Sequence, residues 1–130
     1  MRSFELPLLV APEDIDGLGH VNNVVYLRWM QAAAGAHWEA AARPEQRTAV
    51  DWVVIRHEID YKAPAFAGER LVVRTRVGEA TAATWERLSE VRRVEDDRLL
   101  VQCRSVYVAL DPGSGRPRRV DDALRAPFGD

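Results

Sequence analysis

Residues 13–29 read Glu13-Asp14-Ile15-Asp16-Gly17-Leu18-Gly19-His20-Val21-Asn22-Asn23-Val24-Val25-Tyr26-Leu27-Arg28-Trp29. Two acids one residue apart stand before a Gly-x-Gly turn, and behind the turn two asparagines open a stretch free of proline. Asparagine is a strong N-cap, because its side-chain oxygen accepts from the unpaired N–H groups of a helix's first turn. A helix is therefore expected to start at Asn22 or Asn23, with the turn delivering a carboxylate close to that start. The positive end of the helix dipole favours negative charge there. That charge could be a side chain, or the oxyanion of a tetrahedral intermediate in acyl transfer. By residue type alone, the two aspartates also read as turn and capping residues, a frequent use of Asp.

Working downstream, the helix is expected to run to about Ala42, through residues rich in Ala, Leu, Met and Gln, and to end before Pro44. Between Val24 and Ala42 the only charged residues are Arg28 and Glu39, and apolar side chains occupy nearly every face, the pattern of a buried helix. Ala32, Ala33, Ala34, Gly35 and Ala36 make its middle thin, which predicts a sheet packed closely against it at Gly35. Four strand-like runs follow, at residues 52–61, 70–78, 83–94 and 99–110. In the second, Leu71, Val73, Thr75 and Val77 alternate with more polar residues, as in a half-buried strand, whereas the first keeps no strict period. Short turn-like links suggest an antiparallel meander. Upstream, residues 3–11 read as a strand that Pro7 demotes to a sheet edge. The expected fold class is α+β: a five-stranded antiparallel sheet wrapped around one long central helix, in the order β-α-β-β-β-β, as one domain over residues 1–130.

The bulk composition excludes several function classes. With 130 residues, 47% hydrophobic and 29% charged, the chain has the make-up of one globular domain. A net charge of -2 gives no basic face for nucleic acid. No run approaches the roughly 18 apolar residues of a membrane span, and the N-terminus shows no apolar signal region. Cys103 is the only cysteine, so no internal disulfide forms; a buried, inert thiol is the expectation there, and the cytoplasm the expected location. His20, His37 and His57 lack metal-ligand spacing, no Gly-x-Ser-x-Gly elbow surrounds any serine, and no phosphate-binding loop is present. Neither a metal nor a cofactor is implied.

The ordered positions Asp14-Ile15-Asp16-Gly17-Leu18-Gly19-His20-Val21-Asn22-Asn23, with Tyr26-Leu27 after them, resemble the signature of the 4-hydroxybenzoyl-CoA thioesterase-like hotdog family. Two later stretches agree with it: Tyr61-Lys62-Ala63-Pro64-Ala65 with Gly68 and Leu71, and Asp111-Pro112-Gly113-Ser114-Gly115-Arg116-Pro117. The resemblance implies an acyl-CoA thioesterase. It makes Asp16 the catalytic carboxylate, as nucleophile or general base, and the backbone N–H of Asn23 the oxyanion donor. Gly19, His20, Asn22, Tyr26 and His57 are then candidates for contact with substrate, and Trp52 for lining a cavity. The family pattern further implies a small-molecule acyl thioester as partner and a homodimer or dimer of dimers, a state that edge strands also favour. Gln31 stands where many relatives carry an acid, and Glu39 is the helical carboxylate that remains. The turn at residues 79–83 lacks the basic residues that hold CoA phosphates in a relative, which leaves Arg74, Arg76, Arg92, Arg93 and Arg118 as unranked candidates. Two rival readings are a hotdog dehydratase or hydratase using His20, and a non-catalytic acyl-thioester binder.

Overall fold

The computed structural model describes residues 2–129. Strand β1 (Phe4–Leu9) leads through a 3-10 turn (Pro12–Asp14) and a loop into helix α1 (Asn23–Ala41). A short helix α2 (Pro44–Ala49) precedes β2 (Asp51–Tyr61), β3 (Arg70–Ala80), β4 (Thr84–Arg93) and β5 (Leu99–Leu110). The four-residue helix α3 (Asp122–Arg125) and a 3-10 turn (Ala126–Phe128) follow. The class is α+β, with five antiparallel strands in the order β1-β3-β4-β5-β2.

The structure departs from the sequence expectations at several places. Helices α2 and α3 add to the expected element order. Pro44 does not simply stop helical structure but opens α2 at its first position, where a missing N–H is harmless. The four later strands are not one meander: β3-β4-β5 is, but β2 lies at the far edge beside β5. The link from β2 to β3 explains this. The N–H groups of Lys62 and Ala63 donate to Leu100 O (2.8 and 3.2 Å), Ala65 O accepts from Val21 N (2.9 Å), and Gly68 N donates to Val10 O (2.9 Å). This link therefore crosses from the β5 side to the β1 side and ties down the loop before α1. The broken period of β2 has a local cause as well, a register shift between Val54 and Arg56 that restores His57 and Ile59 to the side of Trp52.

Helix α1 is not buried all round. Val25, Tyr26, Met30, Ala33, Ala34 and His37 face inward, while Val24 is 69% exposed and Gln31, Ala32 and Gly35 are also exposed. Gly35 does not make the close contact expected of it, since a Cβ added there would meet nothing within 4 Å. At 3.6 residues per turn it points away from Ala33, the fully buried residue that does face the sheet.

Two apolar clusters fill the interior. One joins Val21, Val25, Tyr26 and Met30 to Leu71, Val73, Val91 and Val101; the other joins Ala42, Val77, Trp85, Ala109, Leu124 and Phe128. Between them, at the middle of the inner sheet face, runs a buried polar belt. Thr75 Oγ1 and Ser89 Oγ lie 2.8 Å apart, and Arg87 Nη1 donates to Thr75 Oγ1 and to His37 Nδ1, both at 3.0 Å. His57 Nδ1 and Ser105 Oγ, at 2.7 Å, continue it toward β2. Each of these side chains has at least one partner, as buried polar residues generally do. No helix among the described residues is long and apolar enough to cross a membrane.

Candidate active site

The loop between the 3-10 turn and α1 closes on itself. Asp16 N donates to His20 O (3.0 Å), Gly19 N donates to Asp16 O (3.1 Å), and Ile15 bridges Val21. Gly19 takes φ +86°, the left-handed backbone that glycine adopts without a Cβ clash, so its place in the motif is accounted for by backbone shape.

The two aspartates of the motif are held differently. Asp14 is 6% exposed; its Oδ2 accepts from Ala11 N (3.0 Å), its Oδ1 from Arg28 Nη2 (3.1 Å), and its carbonyl from Asn22 N (3.0 Å). It braces the loop. Asp16 is partly exposed, and its Oδ1 accepts from Leu18 N (2.9 Å) and stands 3.9 Å from His20 Nδ1. Its Oδ2 has no hydrogen-bond partner among the described residues.

The start of α1 adds an unpaired donor. Asn22 is the N-cap: its side-chain oxygen takes Val24 N (3.0 Å) and its carbonyl takes Val25 N (2.9 Å). Of the first three N–H groups of α1, Asn23 N is thus the one left without an acceptor among the described residues. A free N–H at the positive end of a 19-residue helix can receive a developing oxyanion.

His20, Asn23 and Tyr26 meet in one shallow pocket of about 200 Å³, together with Tyr61, Lys62 and Pro64. Tyr26 forms its buried floor, its ring edge-on to Trp29 at 5.4 Å, and burial raises its phenol pKa. Tyr61 donates its hydroxyl to Asn23 O (3.2 Å). Sequence reasoning did not place Tyr61 and Lys62 at the site. The signal was present in the Tyr61-Lys62-Ala63-Pro64 stretch, which carries the only lysine of the chain.

His57 does not line this pocket; it sits in the polar belt, where burial lowers its pKa. Trp52 does line a cavity, but a separate one of about 270 Å³ beside the later turns of α1, together with Trp38, Trp85, Tyr107, Phe128 and Arg87. Cys103 is buried and its thiol pKa is raised by burial, as suits an inert residue. Several arginines considered for CoA phosphates are engaged elsewhere: Arg74 with Glu5 (2.8 Å), Arg92 with Glu90 (2.8 Å), and Arg93 with Glu69 (3.2 Å) and Asp96 (3.1 Å). Arg118 stands 3.7 Å from Asp121.

With this geometry in view, comparison with known proteins is decisive for the family. The model of the thioesterase-like superfamily matches residues 10–128, from the end of the first strand to the last 3-10 turn. The chain belongs to the thioesterase-like superfamily. Family and fold are those that the Asp14–Asn23 motif led one to expect. A solved thioesterase from Thermus thermophilus, complexed with coenzyme A and Zn, is 26% identical, with a TM-score of 0.85 over 98% of both chains. Slr0204, a 1,4-dihydroxy-2-naphthoyl-CoA thioesterase from Synechocystis, shares the fold at a TM-score of 0.84 and 20% identity, over 98% of this chain and 96% of that one. The chloroplastic acyl-acyl carrier protein thioesterase ATL3 of Arabidopsis thaliana is 23% identical over 95% of this chain. This thioesterase-like chain spans 66% of that protein's length, just under two thirds.

Proposed function

We propose that the chain hydrolyses an acyl-CoA thioester to a free carboxylate and a thiol, with Asp16 as the reacting carboxylate and Asn23 N–H as the oxyanion donor. The observation that carries this reading is an Asp16 oxygen and a first-turn Asn23 N–H that both lack a partner among the described residues, near the two ends of one loop of a thioesterase-like chain. Asp16 either attacks the thioester carbonyl, expelling the thiolate and leaving an anhydride that water opens, or takes a proton from the water that attacks. On both routes the carbonyl oxygen gains negative charge, which Asn23 N–H and the helix dipole stabilise. His20 and Tyr26 line the pocket at Asn23, while Gly19 and Asn22 shape the loop that carries Asp16 to the helix start. Lys62, at the same pocket, is suited to attract an anionic carrier. The preference for coenzyme A over a carrier protein rests on the relative at 26% identity that holds coenzyme A.

We place the working unit in a homodimer or a dimer of dimers. Supporting this are the open β2 edge, where Val53 is 45% and Ile55 61% exposed, and the exposed outer face of α1.

The deciding experiment compares Asp16→Asn with Asp14→Asn on one hydrolysed acyl-CoA, with folding followed by circular dichroism. Asp16→Asn should fold normally and lose about 100-fold or more in kcat. Asp14→Asn should keep most of its rate and instead lose stability, by about 1 to 2 kcal/mol, because it weakens the bonds to Ala11 N and Arg28. An Asp16→Asn variant that retains more than about a tenth of the rate would remove Asp16 from the mechanism.

A further inference from the structure

The aromatic cavity beside α1 contains a group that its apolar walls do not explain. Trp38, Trp52, Trp85, Tyr107 and Phe128 line it, with the Trp38 and Phe128 rings stacked at 5.8 Å and Trp52 edge-on to Trp38 at 5.7 Å. Into the same cavity comes Arg87, only 9% exposed. A buried guanidinium normally sits against a carboxylate, since removing the charge from water costs several kcal/mol otherwise. Arg87 makes no salt bridge among the described residues. Its Nη1 donates to the neutral acceptors His37 Nδ1 and Thr75 Oγ1, while Nε and Nη2 donate to no protein atom among the described residues. Glu86 also borders the cavity, but its carboxylate is taken by Arg104 and by the N–H of Glu79. Burial pushes the Arg87 pKa down only to about 10, so it stays charged at neutral pH.

We propose that this cavity binds an organic acid with a ring-sized apolar body, whose carboxylate is gripped by the free Nε–Nη2 edge of Arg87. That edge presents two parallel donors, the fork that matches a carboxylate. Building on the thioesterase reading, the acid is the remote carboxylate of the acyl group, so that the substrate class is the monothioester of a dicarboxylic acid. The cavity starts at Gln31, about 12 Å along α1 from Asn23. A compact acyl group anchored at Arg87 therefore does not reach Asp16 of the same chain, and it is Asp16 of a second copy that acts on it. Arg87 is the specificity-determining residue, and the aromatic walls select the body of the acid.

The test uses trans-cinnamate and its neutral, equally shaped amide, cinnamamide, as probes. Calorimetric titration of the purified protein should show cinnamate binding tighter than cinnamamide by about tenfold or more. Arg87→Met should abolish that preference without weakening cinnamamide, and Arg87→Lys, which keeps the charge but not the fork, should fall between. Cinnamate should also compete with acyl-CoA in turnover, and cinnamamide should need a concentration about tenfold higher or more to do so. Equal binding of the two probes to the wild-type protein overturns the proposal, whether or not the variants fold, and so does a preference unchanged in a folded Arg87→Met. Binding through Arg87 that does not compete with acyl-CoA overturns the assignment to the acyl group. Absence of all acyl-CoA turnover with cinnamate binding intact sinks the thioesterase reading but leaves the acid site standing.

Discussion

At His37, burial and the nearby guanidiniums of Arg87 and Arg2 hold the imidazole pKa at about 4, well under its ordinary 6.5. The neutral ring is also the one that can accept from Arg87 Nη1. Between pH 6.5 and 4 the unfolded chain binds a proton at this residue and the folded chain does not, so the unfolded state gains as the pH falls. His37 thus contributes stability that is complete above about pH 6.5 and is lost as the pH drops toward 4, at a rate of at most about 1.4 kcal/mol per pH unit. Thermal melts across that window should show the loss, and His37→Gln, which can still accept from Arg87, should flatten it. Equal slopes for the two proteins would show that other groups govern the acid response. None of this was legible in the sequence, where His37 is one polar residue on an apolar helix; its pairing with Arg87 joins positions 50 residues apart. The two aspartates of the motif were visible, but residue type alone could not rank them. Their difference arises from Ala11 N and Arg28, which occupy Asp14 and leave Asp16 to the solvent side.

On α1, the structure reverses one inference about packing. Glycine in the middle of a helix weakens it by about 1 kcal/mol relative to alanine, and a close contact would have been a reason to keep it. Gly35 makes none, because it opens onto the aromatic cavity. Gly35→Ala is therefore expected to raise stability by about 1 kcal/mol in a thermal or denaturant melt; a fall of similar size would mean that this face is covered in the working assembly. The existence of α1 and of all five strands was readable from periodicity and caps. The outward face of α1 was not, because an apolar helix surface does not say whether its own sheet or another chain covers it. The neighbours of β2 were likewise hidden, since they depend on the path of residues 62–69 and on a register shift that blurs the strand's alternation.

For the whole molecule, the two sheet edges are unequal. β1 carries Pro7, which cannot donate to a further strand, while β2 presents exposed Val53 and Ile55. Association through β2 is expected, and light scattering at micromolar concentration should give two or four times the 14.6 kDa chain mass; a result equal to one chain would exclude the assembly. The buried belt of Thr75, Ser89, Arg87, His37 and Ser105, continued by half-buried His57, has one more implication. It divides the interior into two compartments, one behind the Asp16 loop and the other around the aromatic cavity. Substitutions that do not share partners act almost independently. The aromatic compartment can thus be remodelled for acids of other sizes while the compartment behind Asp16 is left undisturbed, an arrangement that lets selectivity drift under mutation without putting the chemistry at risk.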